Sequence, residues 1–196
     1  MRTSPTGRLV AVVLALLAAL LVQVTVLPHF AWEVGGLGVV PDVVLLVVVA
    51  TALATDTRSG TLTGFFGGLL IDLAPPADHV AGRWALARLA VGYVVGRLAH
   101  DHTADVGRME LDGTRRPPLG LVVAAAAGGS FVGTSVYALS GLFLGDSTAA
   151  VGDLLEVALV ALVLDTVAAL LVVPATYWLF RRLGRHGAPQ ARWAQT

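Results

Sequence analysis

Between residues 60 and 76 the chain reads GTLTGFFGGLLIDLAPP, apolar enough to enter a bilayer yet carrying four glycines, one carboxylate and two closing prolines. Glycine weakens a helix interior by roughly 0.5–1 kcal/mol relative to Ala. A charge at mid-bilayer costs about 2.5–3.5 kcal/mol on insertion scales. A spanning helix keeps such residues where a neighbouring helix needs them. Positions four apart lie nearly above one another on a helix, so Gly60, Gly64, Gly68 and Asp72 form one stripe. In the next apolar segment, RWALARLAVGYVVGRLAH (83–100), Arg88, Gly92, Gly96 and His100 form a second. Consecutive spans run antiparallel, an alignment expected to bring Asp72 level with Arg88, Gly68 near Gly92 and Gly64 near Gly96. Small residues let helix backbones approach closely where lipid supplies no hydrophobic drive. Asp72 lies near a helix C-terminus, where the dipole disfavours an acid. Its expected partner is Arg88, whose guanidinium can fork onto a carboxylate. Such a pair either locks two helices together or seats a ligand or partner protein.

The rest of the chain supports a membrane reading. It has 196 residues, is 56% hydrophobic and 13% charged, and has a mean hydropathy of +0.79. That composition excludes a soluble domain of this size. Cysteine is absent, which removes disulfides, thiolate metal sites and cysteine nucleophiles. Lysine is absent as well, so all 13 basic residues are Arg. A formal net charge of zero argues against a nucleic-acid partner.

Hydropathy divides the chain into a segment 1–8, a transmembrane domain 9–180 and a basic tail 181–196. The spans fall at about 9–27, 41–55, 60–75, 83–100, 120–144 and 151–180. The first follows Arg2 and Arg8 and is longer than the h-region of a secretory signal, so it is expected to stay as an uncleaved helix. Pro41 suits the start of the second span. Arg2, Arg8, Arg58, Arg97, Arg108, Arg115, Arg116, Arg181, Arg182, Arg185 and Arg192 all fall on one side of a six-span arrangement. The opposite loops (28–40, 74–82 and 145–150) hold no Arg, and Arg83 stands at a boundary. The positive-inside rule then puts both termini in the cytoplasm. The fold expected is an all-α integral membrane protein, six transmembrane helices in a single compact bundle.

Several polar residues lie inside or beside these spans. Asp42 follows Pro41 in a first turn, where an acid favours the dipole and can cap; it also lies on the same side as Arg88 and could share it. Gln23 and Glu156 fall in the outer half, and Asp153 and Glu156 are interfacial. Asp165 is deeper, nine residues from Glu156 and hence on the other side of the helix, and should face the bundle, protonated or paired. Pro174 is expected to kink the last span. Ala11, Ala15 and Ala19 form a further small-residue stripe. Trp32 and Trp84 read as interfacial anchors. His100, His102 and Asp105 lack the spacing of a metal site, and the polar loop 101–118 reads as a connector or docking surface. No catalytic residue, metal or cofactor is expected.

The order of these features resembles the MreD family of rod shape-determining membrane proteins. It consists of a Gln near the end of the first span, then PDVVLLVVVATAL, then GTLTGFFGGLLIDL, then AGRWALARLAVGYVVGRL. The resemblance covers about residues 20–100, and the last two spans match in hydropathy and in the late Pro. The matching residues are Pro41, Asp42, Gly60, Gly64, Phe65, Gly68, Asp72, Gly92 and Tyr93; Gly96 and Arg88 come from the stripes alone. The resemblance implies a non-enzymatic scaffold or regulator of lateral peptidoglycan synthesis in a bacterial inner membrane. It would bind MreC and work indirectly with MreB, RodA and a class B penicillin-binding protein. It also implies a fold similar to the substrate-binding S components of energy-coupling-factor transporters. The alternative function is therefore a membrane subunit that binds a small molecule for such a transporter, with Ala11, Ala15 and Ala19 as its coupling face. An intramembrane enzyme is disfavoured, because no Ser–His or carboxylate pairing stands at usable spacing.

Overall fold

The computed structural model describes residues 5–34, 37–74, 80–105, 117–145 and 151–184. Among them are six α-helices: α1 (Pro5–Leu21), α2 (Val43–Ala54), α3 (Thr57–Asp72), α4 (Arg83–Asp105), α5 (Leu119–Phe143) and α6 (Val151–Gly184). The loop at 106–116, the tail from 185 and residues 1–4 lie outside the described residues, as do the side chains of His102, Asp105 and Asp153. Three helical stretches are long and apolar enough to cross a membrane: Thr6–Phe30, Leu119–Phe143 and Leu155–Leu183.

Two local features depart from the expected all-helical pattern. The first helix does not run straight to residue 27. It gives way to a π-helical turn at Val22–Val26 and a 3-10 turn at Leu27–Phe30, which has Pro28 near its start. Proline has no N–H to offer the turn before it, so the hydrogen-bond pattern changes ahead of Pro28. The second departure is an antiparallel hairpin, β1 (Trp32–Val34) with β2 (Leu37–Val39), in which Trp32 pairs with Val39 and Glu33 with Gly38.

Helix α2 is the axis of the bundle. Its sequence, VVLLVVVATALA, is rich in β-branched residues that would favour a strand in water. Every residue from Val44 to Ala54 is buried, so all of its backbone polar groups must be satisfied internally, and a helix does that within one segment. α2 packs on each of the other five helices. With Ala11, Val91, Val95, Val122, Ala126, Ala169 and Val173 it makes the main core. Ala15, Leu16 and Ala19 meet Val44 and Val47 in a second cluster. The alanine stripe of α1 is thus a contact face within the chain.

The closest approach is between α3 and α4. A Cβ at Gly60 would lie 2.7 Å from Ala52 Cβ and 3.0 Å from the carbonyl oxygen of Gly92. One at Gly64 would overlap the carbonyl of Arg88, one at Gly68 would lie 2.5 Å from Ala85 Cα, and one at Gly96 2.7 Å from Thr57 Cα. Both stripes therefore serve close helix contact, but in a different register. Gly60 opposes Gly92, Gly64 opposes Arg88, and Gly68 opposes Trp84 and Ala85. Relative to the expected alignment α4 is displaced by eight residues, about 12 Å at 1.5 Å per residue. The cause lies at the helix ends: α3 stops at Asp72, and Asp72 reaches across to the first turn of α4.

Substituting Gly64 by Ala should destabilise the protein by about 1–3 kcal/mol, the usual cost of overpacking. The same change at Gly128, where nothing lies within 4 Å of a new Cβ, should be neutral or slightly stabilising. Thermal unfolding in one detergent checks both. Equal responses at the two positions would remove the case for a close α3–α4 contact.

Candidate functional site

The charges within the apolar helices gather at one end of the bundle, around Arg88. This side chain is 1% exposed. Its position follows from the α3–α4 contact, since Gly64 lies directly against the Arg88 backbone. The guanidinium makes an ion pair with Asp42 through Nη2 and Oδ2, and its Cζ stands 4.8 Å from the centroid of the Trp84 ring. The expected Asp72–Arg88 pair is therefore corrected: the carboxylate that meets Arg88 is Asp42. Asp72 accepts hydrogen bonds from the backbone N–H groups of Trp84 (3.2 Å) and Ala85 (3.0 Å) instead. First-turn N–H groups attract a carboxylate by both hydrogen bonding and the helix dipole. An acid at the end of α3 thus serves the start of α4, and the favourable dipole of α4 offsets the unfavourable one of α3.

Asp42 is the N-cap of α2, its Oδ1 accepting from the Leu45 N–H at 2.9 Å, and Pro41 precedes the cap instead of opening the helix. Two further helices reach the same turn. Gln23, in the π-helical turn, accepts from the Val44 N–H at 3.0 Å. Asp165, on α6, accepts from the Asp42 N–H at 2.6 Å and from the Ser130 hydroxyl of α5, also at 2.6 Å. Asp165 faces the bundle interior, as expected, and is 3% exposed. One polar centre thus ties α2 to α4, α5, α6 and the π-helical continuation of α1.

An aromatic stack extends it. Trp84 and Tyr137 lie with ring centroids 4.2 Å apart at an interplanar angle of 28°, and Arg83 Cζ sits 4.1 Å from the Tyr137 centroid. Arg83 donates to Ser140 Oγ (3.3 Å) and to the Tyr137 carbonyl (3.1 Å). Two guanidiniums therefore flank two stacked rings, a cation–π arrangement worth about 2 kcal/mol or more per contact when desolvated. Trp84 is half-buried in this stack, which gives it a structural role at this end of the bundle. Trp32, 65% exposed, keeps the exposure that an anchor needs. Gly141 belongs to the same arrangement, since a Cβ there would overlap Arg83 Nη2. Ser130, Tyr137 and Gly141 are members of the site that the sequence did not disclose, because each is only a small or aromatic residue in an apolar helix.

At the other end His100 Nε2 lies 3.2 Å from the Ala52 carbonyl. No group of three or more His, Cys, Asp or Glu that could hold a metal occurs among the described residues. Of the remaining motif residues, Phe65 and Tyr93 are exposed on the outside of the bundle. An apolar groove of about 340 Å³ lies between the end of α1 and the end of α3, lined by Leu20, Leu21, Val24, Thr25, Leu70, Leu73 and Ala74. Comparison with known families, curated proteins and solved structures gives no match to this chain.

Breaking a buried ion pair by removing one partner typically costs 3–5 kcal/mol. Asp42→Ala and Arg88→Met should each fall in that range, and the double variant should lose less than the sum. Asp72→Ala combined with Arg88→Met should be close to additive. A double-mutant cycle by denaturant unfolding distinguishes the two, and stronger coupling of Arg88 to Asp72 than to Asp42 would reverse the pairing.

Proposed function

We propose that the chain is a non-catalytic, multi-pass scaffold of the bacterial cytoplasmic membrane, of MreD type, that binds MreC and supports lateral peptidoglycan synthesis. The observation that carries the reading is what the motif residues do. Asp42 caps α2 and pairs with Arg88; Gly60, Gly64, Gly68 and Gly92 form the α3–α4 contact; Asp72 receives the first turn of α4. The residues that carry the resemblance are thus occupied in holding helices together, which suits a scaffold. Phe65 and Tyr93 lie outward, where a partner helix or lipid would meet them.

In this reading all six helices span, both termini are cytoplasmic, and the Arg88 centre lies in the outer half of the membrane. MreB, RodA and a class B penicillin-binding protein are indirect partners. The transporter alternative loses one support. Ala11, Ala15 and Ala19, its proposed coupling face, are buried within the chain against α2 and its neighbours.

In-cell crosslinking and affinity purification of the tagged protein, with partners identified by mass spectrometry, should recover a single-span protein with a periplasmic domain together with wall-synthesis enzymes. Recovery of ATPases and a coupling membrane subunit would instead make the chain a transporter component.

A further inference from the structure

We propose that the Arg88 centre is a proton-binding site and that the exchangeable proton resides on Asp165, independently of the scaffold reading. The first observation is charge balance. Among the described residues, the charged groups of this end that are buried or nearly so are three carboxylates, Asp42, Asp72 and Asp165, and two guanidiniums, Arg83 and Arg88. In sequence the segments 35–36, 75–79 and 146–150, which lie outside the described residues, contain no Arg; His79 is their one basic side chain, and Asp78 and Asp146 are their acids. Among the described residues one negative charge is thus left over in a medium where uncompensated charge is expensive, and a buried group relieves that cost by binding a proton.

The second observation selects the carboxylate. Asp42 is met by the Arg88 guanidinium and by the Leu45 N–H. Asp72 is met by two backbone N–H groups. These guanidinium and N–H groups donate only, and as donors they favour an ionised acceptor. Asp165 differs, because its Oδ2 partner is the Ser130 hydroxyl, which can donate or accept. In the ionised state Ser130 donates to Asp165. In the protonated state the Asp165 O–H donates to Ser130 Oγ, while Oδ1 still accepts from the Asp42 N–H. Both states are hydrogen-bonded without moving a helix.

The third observation is that Arg88 Nε is buried and makes no hydrogen bond among the described residues. The centre therefore retains an unused donor beside the Asp42–Asp165 carboxylates. The other charged groups bearing on Asp165 are the Asp42–Arg88 pair of α2 and α4; Gln23 of the π-helical turn meets the same turn of α2 and is occupied by the Val44 N–H. Glu156 of α6 and Glu33 of the hairpin are exposed.

The test is carboxyl-stretch infrared difference spectroscopy of the full chain in vesicles of uncharged lipid, stepped from alkaline to mildly acidic pH. The expected result is one protonated-carboxyl band in the wild type that is lost in Asp165→Asn, with thermal stability of that variant no longer dependent on pH over the same range. Ser130→Ala, which keeps the acid but removes its reversible partner, should move the midpoint of the band. This second variant decides the matter where Asp165→Asn does not fold. A band that persists in Asp165→Asn, that vanishes in Asp42→Asn or His79→Gln instead, or whose midpoint Ser130→Ala leaves unmoved would overturn the assignment. So would the absence of any such band, or sodium at constant pH reproducing the stabilisation that acid gives.

Discussion

A guanidinium that is 1% exposed inside an apolar bundle is the constraint around which the rest of this structure is arranged. Moving an ion out of water costs several kcal/mol even after relaxation, and the cost is recovered only through good geometry and satisfied neighbours. Arg88 obtains its counter-charge from Asp42, and Asp42 can supply it only because it is held at the first turn of α2. That turn is held in turn by Gln23 and Asp165, and Asp165 by Ser130. Every helix except α3 therefore contributes, directly or through the turn that continues α1, a side chain or a backbone group to one centre. Helix α3 sets the position of α4: Gly64 and Gly68 let it come close enough to place Arg88 and Trp84, and Asp72 holds its first turn.

How much of this was legible in the sequence depends on whether the signal was periodic. The four-residue stripes of α3 and α4 identified both contact faces, because small residues at that spacing have one common use in a membrane. They could not fix the register, since Gly60, Gly64 and Gly68 are interchangeable under a shift by whole turns. The register was decided by Asp72, and its decisive partners, the N–H groups of Trp84 and Ala85, belong to the backbone and leave no residue-type signature. Asp165 was recognisable as a bundle-facing acid from its depth alone, whereas Ser130 and Tyr137 were not separable from other small and aromatic residues of α5. The hairpin had a readable cue, Gly-Gly between short apolar runs at 32–39, outweighed by the hydropathy of the helices around it.

The same geometry explains why the motif residues bear more on architecture than on chemistry. Each acid in the centre is used for a defined structural bond, and the aromatic rings are used as faces for guanidiniums. A residue so used is intolerant of change for packing reasons alone. The outer surfaces of α1, α5 and α6 carry exposed Leu, Val and Phe, as lipid or a partner helix requires.

The length of α2 links the polar centre to the membrane. Twelve residues make a helix about 18 Å long, well short of a hydrocarbon core of roughly 30 Å. In the proposed six-span arrangement at least one end of α2 then stops inside the apolar layer, where the N–H groups of a first turn find no water. A buried helix end without partners would cost several kcal/mol per group. The N–H groups of Val44 and Leu45 and that of the cap residue Asp42 are each taken by a side chain: Gln23, Asp42 and Asp165 respectively. Two of these three acceptors are acids, and a net negative charge at that depth calls for a cation, which Arg88 supplies. In that arrangement the buried arginine follows from a helix too short to reach water, and the glycines of α3 are what allow that arginine to be placed.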